Sequence, residues 1–379
     1  MRERFLILRP YLILLFIPML FTVMFGEVMR CVFVENIPIA VLDMDNSTNS
    51  RVVVDGFYDC PVFQITESYN SYREIEDHIL SGEISGAVII PENFGKELAK
   101  RTGTEAEVLI DGSNFLIANN IQLYATTILT TVNAGIQINL LEAGGMIPYS
   151  AEQSVYTLNL ADRALFNPQF GYFYYLFAGL LGIFVQQTIL AVTPAVLIKE
   201  KERLRSLRAA GQENGRKFDM RNTAYKLGIY AMLNTISMIS CLILANRLFA
   251  YPIKGSLWYL AAIHGVFLLC LFGVSLILAA LFNDATHCLQ FVMFMAVPSF
   301  LSCGFGWPEY MMAPGFAPVM KAVWPLYYYA NPMKDLMLKG AGWSVIGHYL
   351  VGGLIFAAVW IPMGMMIFGK KTTRAEIVL

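Results

Sequence analysis

Long uncharged runs organise this chain. Six stretches, 10–26, 170–198, 227–246, 257–282, 286–307 and 344–368, contain no Asp, Glu, Lys or Arg. Apolar runs of this length are what a helix needs to cross the hydrocarbon core of a bilayer, and a soluble core does not require them. The pattern predicts an α-helical integral membrane protein with six transmembrane helices. Arg2 and Arg4 precede the first run as in a signal peptide, but no small-x-small cleavage site follows in "FGEVMRCVF". It therefore reads as an uncleaved span.

Between the first and second spans the periodicity changes. Residues 31–168 read as an α/β domain, with strands at "IPIAVLDMD" (37–45), "VFQIT" (62–66), "GAVIIP" (86–91) and "AEVLIDGS" (106–113). Ser and Asn residues in "NSTNSRVVVDGFYD" supply helix caps, and "SYREIEDHILSG" (71–82) is an amphipathic helix closed by Gly82. "ENFGKELAKR" is a further helix. Strands alternating with helices argue for largely parallel pairing. From Asn114 to Leu141 a long helical pattern reads as a stalk returning to the membrane. Residues 309–339 are apolar but broken by Pro314, Pro318, Pro325 and Pro332, a density that prevents one continuous helix. Short re-entrant or surface helices are expected there, at the outer interface.

Composition agrees: 56% of residues are hydrophobic and 15% charged, against roughly 25% charged in an ordinary soluble domain. A net charge of −1 gives no global field for nucleic acid. The distribution of charge says more. Residues 199–226 hold nine Lys and Arg, the N-terminus adds Arg2, Arg4 and Arg9, and the tail adds Lys370, Lys371 and Arg374. The short opposite loops carry only Arg247 and Lys254, then Lys321, Lys334 and Lys339. With six spans the three basic segments share one side, and the positive-inside rule makes it cytoplasmic, with both termini inside. The cysteines lack metal-ligand spacing. Cys31 and Cys60 both fall on the oxidising side, which leaves a disulfide between them open.

Catalytic motifs are missing. There is no G-x-x-x-x-G-K-[ST] phosphate loop, no H-E-x-x-H and no G-x-S-x-G, and His78, His264, His287 and His348 are scattered. "LSGEIS" (80–85) is similar to an ATP-binding-cassette signature, but at a helix end in an external domain a C-cap explains it. Glu27 and Asp284 lie near span ends, and no buried carboxylate of the kind an ion-coupled carrier needs stands out. Gln186, Gln187, Thr188, Asn234, Ser237 and Gln290 lie within spans, either as interhelical hydrogen bonders or as the lining of a path. The aromatic run from Phe170 to Phe177 is an interfacial belt or the outer wall of an apolar path.

At the end of the second span, a plain stop signal would need only a few basic residues. Here Glu200 and Glu202 alternate with Lys199, Lys201 and Arg203, and Leu204 occupies the i+4 position from Glu200. The acids are expected to stay free for a partner, which suits a docking surface. These residues resemble the permease subunits of type-2 ABC exporters, whose second span ends in an R-E-R/K-E-R-G-T-like motif and continues into a cytoplasmic coupling helix. "KEKER" (199–203) matches, with Leu204-Arg205 where Gly-Thr is usual. "IPIAVLDMDNSTNS", "ILSGEISGAVIIPENF" and "DGSN" (111–114) resemble the external domain of the larger members, and "WPLYYYANPMKDLM" resembles their re-entrant segment. The likeness covers nearly the whole chain, departing at "MRERFLIL", which is shorter than the amphipathic helix of many members.

The resemblance implies three parts: 1–30, a cytoplasmic start and first span; 31–168, the extracytoplasmic domain; and 169–379, spans two to six. The last would include a coupling helix at 199–222 and the re-entrant segment 309–339. It implies ATPase-coupling roles for Lys199, Glu200, Lys201, Glu202 and Arg203, and a substrate path between the second and fifth spans. Gln186, Gln187, Asn234 and Gln290 are the candidates to line it. No cofactor would be bound by this chain, since ATP and Mg belong to a separate ABC ATPase subunit. A second permease, as homodimer or heterodimer, and a periplasmic adaptor would complete an exporter of drug- or lipid-like compounds in a bacterial inner membrane. The competing reading is a membrane-anchored receptor or scaffold whose external domain binds a ligand without transport.

Overall fold

The structure, a computed structural model, describes residues 2–30, 34–69, 71–100, 103–156, 163, 165–168, 171–209 and 220–373. In chain order the elements are α1 (Arg2–Val28), β1 (Ile37–Asp43), α2 (Thr48–Tyr58), β2 (Phe63–Ser68), α3 (Tyr72–Ser81), β3 (Gly86–Ile90), α4 (Phe94–Lys100) and β4 (Glu107–Ile110). There follow α5 (Phe115–Ala143), α6 (Pro148–Val155), α7 (Tyr172–Ala209), α8 (Met220–Phe249), α9 (Leu257–Leu281), α10 (Ala285–Ser302), α11 (Phe316–Val323), α12 (Tyr327–Lys339) and α13 (Trp343–Thr373). Two units result: Met1–Val32 with Ala164–Leu379, and Phe33–Arg163. Cys31, Phe170 and residues 210–219 of the expected coupling helix lie outside the described residues, and the Cys31–Cys60 pairing lies outside them too.

In the first unit, α1, α7, α8, α9, α10 and α13 are long and apolar enough to cross a membrane, matching the six uncharged runs. α7 is central, touching α1, α8, α9 and α10, while α13 lies along α9 and α1 along α8. Phe177, Leu181, Val185 and Ile189 of α7 are buried at four-residue spacing, one stripe of a helix. α10 stops at Ser302, short of the uncharged run's end, where Gly304 takes φ +79°. The proline-rich segment forms short helices, as expected. α11 has no buried residue, but α12 is almost wholly buried, packing on α7, α9 and α13. Pro332 sits inside α12 rather than breaking it. Beside it, the Asn331 amide donates to the carbonyls of Tyr327, at 3.2 Å, and Cys303, at 3.1 Å, which ties this turn to the end of α10.

In the second unit the sheet order is β2-β1-β3-β4. β1 pairs parallel with β2 and β3, so the pairing is largely parallel as expected, and only β4 returns antiparallel, to β3. Alternate residues serve opposite faces. Ile37, Ile39, Val88 and Ile90 pack with Phe57, Phe94 and Ile121, while Ala40, Leu42, Ala87 and Ile89 pack with Ile75 and Ile84. A central strand covered on both faces explains why β1 reads as a continuous apolar run.

The motif after β1 fastens the sheet to its helices. Asp43 Oδ1 accepts the Asp45 and Asn46 N–H groups, both at 3.0 Å, and Asp43 Oδ2 accepts the Ser50 hydroxyl at 2.7 Å. Ser47 caps α2 by accepting the Ser50 N–H at 3.1 Å. Asp45 Oδ2 accepts the Gly95 N–H of α4 at 2.9 Å, and a Cβ on Gly95 would lie 2.5 Å from Ser47 Oγ. Only glycine tolerates that approach. Asn114, read as the first residue of the long helical pattern, is instead the N-cap of α5, its side chain accepting the N–H groups of Leu116 and Ile117. The short α6, opened by Pro148, had no counterpart in the sequence reading.

Candidate functional site

The helix α7 does not end with its apolar stretch but carries Lys199 to Ala209 onward as helix. Its i, i+3, i+4 geometry sorts the charges onto two faces. Lys199, Glu202 and Arg203 are exposed, while Lys201 and Leu204 are buried and Arg205 is half-buried. Lys201 is 0% exposed. Its Nζ donates to the carbonyl oxygens of Ala279 and Phe282, both at 2.6 Å. Those carbonyls belong to the last turn and cap of α9, where helix carbonyls lack intrahelical partners and the helix dipole favours a cation. The Arg205 guanidinium donates to Asn283 Oδ1 and to the Lys371 carbonyl, both at 3.2 Å. The end of α7 is thereby fastened to the α9–α10 turn and to the last turn of α13.

Two expectations are corrected here. Glu200 is not free: its Oε1 accepts Arg203 Nη2 at 2.9 Å, an i,i+3 pair that the i+4 rule overlooked. Lys201 is no part of an outward surface, because the α9 terminus offers it a buried site. At the same end, Asp284 caps α10 by accepting the N–H groups of His287 (2.9 Å) and Thr286 (2.8 Å), which hold its carboxyl below the ordinary range.

Three of the four path candidates occupy the interior, and one does not. Gln186 Nε2 donates to Ser299 Oγ at 3.2 Å, joining α7 to α10. Asn234 Nδ2 donates to Thr188 Oγ1 at 3.1 Å, joining α8 to α7. Ser237 donates to the Leu15 carbonyl at 3.0 Å, joining α8 to α1. Gln187 is half-buried, with both amide atoms enclosed and unbonded among the described residues. Gln290 is exposed on α10. The aromatic run is likewise divided, since Tyr172 is exposed whereas Phe173 and Phe177 pack in the core against Phe249 and Tyr251.

At the opposite end of the bundle the sequence reading missed a buried carboxylate. Asp335 of α12 is 8% exposed and pairs with Lys339 at 2.6 Å. Nearby, Lys334 Nζ sits over the rings of Phe305 (5.2 Å) and Tyr175 (5.7 Å), which stack on each other. Glu309 and Lys321 pair at 2.6 Å. The alternation of acid and base through "NPMKDLMLK" was the available signal, masked by the prolines around it.

Residues 5–366 match the profile of the ABC-2 family transporter proteins. The chain belongs to that family. Among its relatives is the "Probable multidrug ABC transporter permease YbhS" of Escherichia coli (strain K12), 24% identical over 83% of this chain and 79% of that protein. Another is the "Inner membrane transport permease YhhJ" of the same strain, 19% identical over 88% of this chain and 85% of that one. The chain is thus a membrane permease subunit and not an enzyme, and membership implies an ATPase partner that handles ATP.

Proposed function

We propose that the permease is the membrane subunit of an ATP-driven exporter that moves small amphipathic compounds, drug- or lipid-like, outward from the cytoplasm or inner leaflet. The observation that carries this reading is the extension of α7. One face is anchored by Lys201 and Arg205 to the α9–α10 turn and to α13, and the other presents Lys199, Glu202 and Arg203. A lever held on one side and charged on the other suits a surface driven by a separate ATPase. Glu200 orients Arg203 within that face.

In this reading the basic end is cytoplasmic, both termini are inside, and residues 31–168 form an α/β domain on the outer side of a bacterial inner membrane. A second permease completes the path between the second and fifth spans, and a periplasmic adaptor continues it. Gln186, Gln187 and Asn234 face that path or support it. The test is purification of the tagged permease from native membranes, identification of a co-purifying ATPase, and ATP-dependent uptake into inverted vesicles. An external domain that binds a ligand while no ATPase and no uptake are found would indicate a receptor instead. Orientation is tested by Glu76→Cys in a background lacking the native cysteines. Glu76 is exposed on α3, so an impermeant maleimide should label it in intact spheroplasts. Labelling only after lysis would reverse the topology.

A further inference from the structure

One helix of the second unit is exposed along its length and yet carries almost no charge. α5 runs for 29 residues, about 44 Å, and residues 112–141 contain no Asp, Glu, Lys or Arg. One face packs into the sheet core through Ile121 and Ala125, with Phe57 and Val88. Asn119, Leu123, Thr126, Thr130, Asn133 and Gln137 lie on another face, all of them exposed. Their spacing alternates four and three, the repeat that keeps a seam turned toward a second helix.

The other helices of the sheet are solvated differently. α2 exposes Arg51 and Asp55, α3 exposes Arg73, Glu76 and Asp77, and α4 exposes Lys96 and Lys100. Charge keeps a free surface soluble, and it is depleted where two surfaces meet. Beside the seam, Thr127 and Thr131 donate their hydroxyls to the carbonyls of Leu123 and Thr127, both at 2.8 Å. Neither donor then needs water.

The chemistry of the face selects its partner. A helix lying in a lipid surface sets Lys and Arg beside an apolar face, whereas this seam has Asn, Thr and Gln along its centre. A partner of different sequence is chosen by charges flanking a seam. Here the flanks are Asn120, Gln122, Thr127 and Leu129, and they offer none. A face that meets its own copy needs the opposite, because net charge of either sign would repel its twin, while Asn, Gln and Thr each donate and accept. The positions are symmetric as well, since Thr126 lies midway between Asn119 and Asn133. Copies running the same way set each asparagine against its twin, and copies running oppositely set Asn119 against Asn133. Thr126 meets Thr126 either way.

We propose that this face of α5 is an interface between two copies of the chain, a polar two-helix seam centred on Thr126. The inference rests on the reading that two permeases act together, and deepens it by making them identical and giving the second unit a part in their pairing. One helix pair is small beside the roughly 800 Å² per partner of a stable complex. The seam therefore acts between copies sharing one membrane, where tethering raises their effective concentration.

The experiment is crosslinking of the full chain in membranes, in a background lacking the native cysteines. Thr126→Cys, oxidised with copper phenanthroline, should give a product of twice the chain's mass that contains this chain alone. Glu76→Cys on α3, also exposed, should stay monomeric. Asn119→Glu with Asn133→Glu sets like charges across the seam in either direction and should lower the Thr126→Cys product about tenfold. Co-expression with a chain bearing Asn119→Lys and Asn133→Lys should restore the product between the two chains, which separates repulsion from a lost fold. A product no greater than that of Glu76→Cys, one containing another protein, one unchanged by the glutamates, or a loss without rescue overturns the seam. Light scattering of the purified permease and ATP-dependent uptake test the underlying reading separately. Paired permeases without the crosslink overturn the seam alone, and crosslinking without uptake overturns the exporter reading alone.

Discussion

The ammonium of Lys201 closes the C-terminus of α9, its Nζ lying 2.6 Å from the carbonyl oxygen of Phe282 and equally close to that of Ala279. Removing it leaves two carbonyls without their cation and loosens α7 from the α9–α10 turn. Lys201→Met should therefore insert into the membrane but unfold more easily, by about 1–3 kcal/mol, the usual penalty for stranding buried acceptors. Transport should fall further than stability, because the extension no longer moves with α9 and α10. Lys201→Arg should not restore it, since a planar fork cannot replace a compact ammonium between two carbonyls. Thermal unfolding of the purified permease and ATP-dependent uptake measure the two effects. Native-like values for both in Lys201→Met would reduce the contact to packing.

The spans were legible because charge is expensive in hydrocarbon wherever it falls, so its absence marks a spanning helix without knowledge of the packing. Caps were legible for a similar reason: Ser47 and Gly82 act on backbone three to four residues away. What could not be read is what depends on a distant partner. Lys201 turns inward because α9 ends beside it, although Phe282 lies 81 positions along the chain. Gln186 and Gln290 are the same residue type in neighbouring spans, yet packing encloses one and leaves the other exposed. Asp335 escaped notice because four prolines suggested a surface segment, whereas α12 is held among three other helices.

Gly95→Ala tests the fastening of β1 to α2 and α4. The added Cβ would lie 2.5 Å from Ser47 Oγ, so Ser47 must turn away and release its cap on α2, and the Gly95–Asp45 bond must stretch. Loss of a cap is worth about 1 kcal/mol, and the displaced contact adds to it. Gly95→Ala should lower the unfolding midpoint of the second unit, measured by hydrogen exchange at amides of β1 and β3. Ser47→Gly in the same chain should relieve part of the strain. Unchanged exchange in Gly95→Ala would show that Ser47 has room to move.

Acid should weaken the second unit through two carboxyls. The Ser47 hydroxyl and the Gly95 N–H hold Asp45 below its ordinary value of 3.8, and the Ser113 N–H and hydroxyl do the same for Asp111. A carboxyl whose folded pKa lies below its unfolded one adds stability above the unfolded value and loses it as pH falls through the folded one. Stability from these groups should be level from neutrality to about pH 4 and decline below it. Asp45→Asn should be weaker at neutral pH but show a shallower decline. Denaturant midpoints of the full chain across that range provide the check, and parallel acid profiles for native and variant chains would remove Asp45 from the account.

The exposed face of the α7 extension carries the last prediction. Glu202 is exposed, whereas Glu200 is engaged with Arg203, so the two acids should differ in their effect on the partner. Glu202→Ala should weaken the permease–ATPase complex directly. Removing one member of a desolvated charge pair costs about 2–5 kcal/mol, or roughly thirtyfold and more in affinity. Glu200→Ala should act less strongly, by releasing Arg203, and Arg203→Ala should produce a similar loss. Affinity of purified permease for its ATPase, measured at two salt concentrations, separates these outcomes. A contact that is desolvated on docking should lose less to salt than a solvated one. If Glu202→Ala binds the ATPase and supports uptake as the native chain does, the face is only solvated, and the charges after the second span are a stop signal.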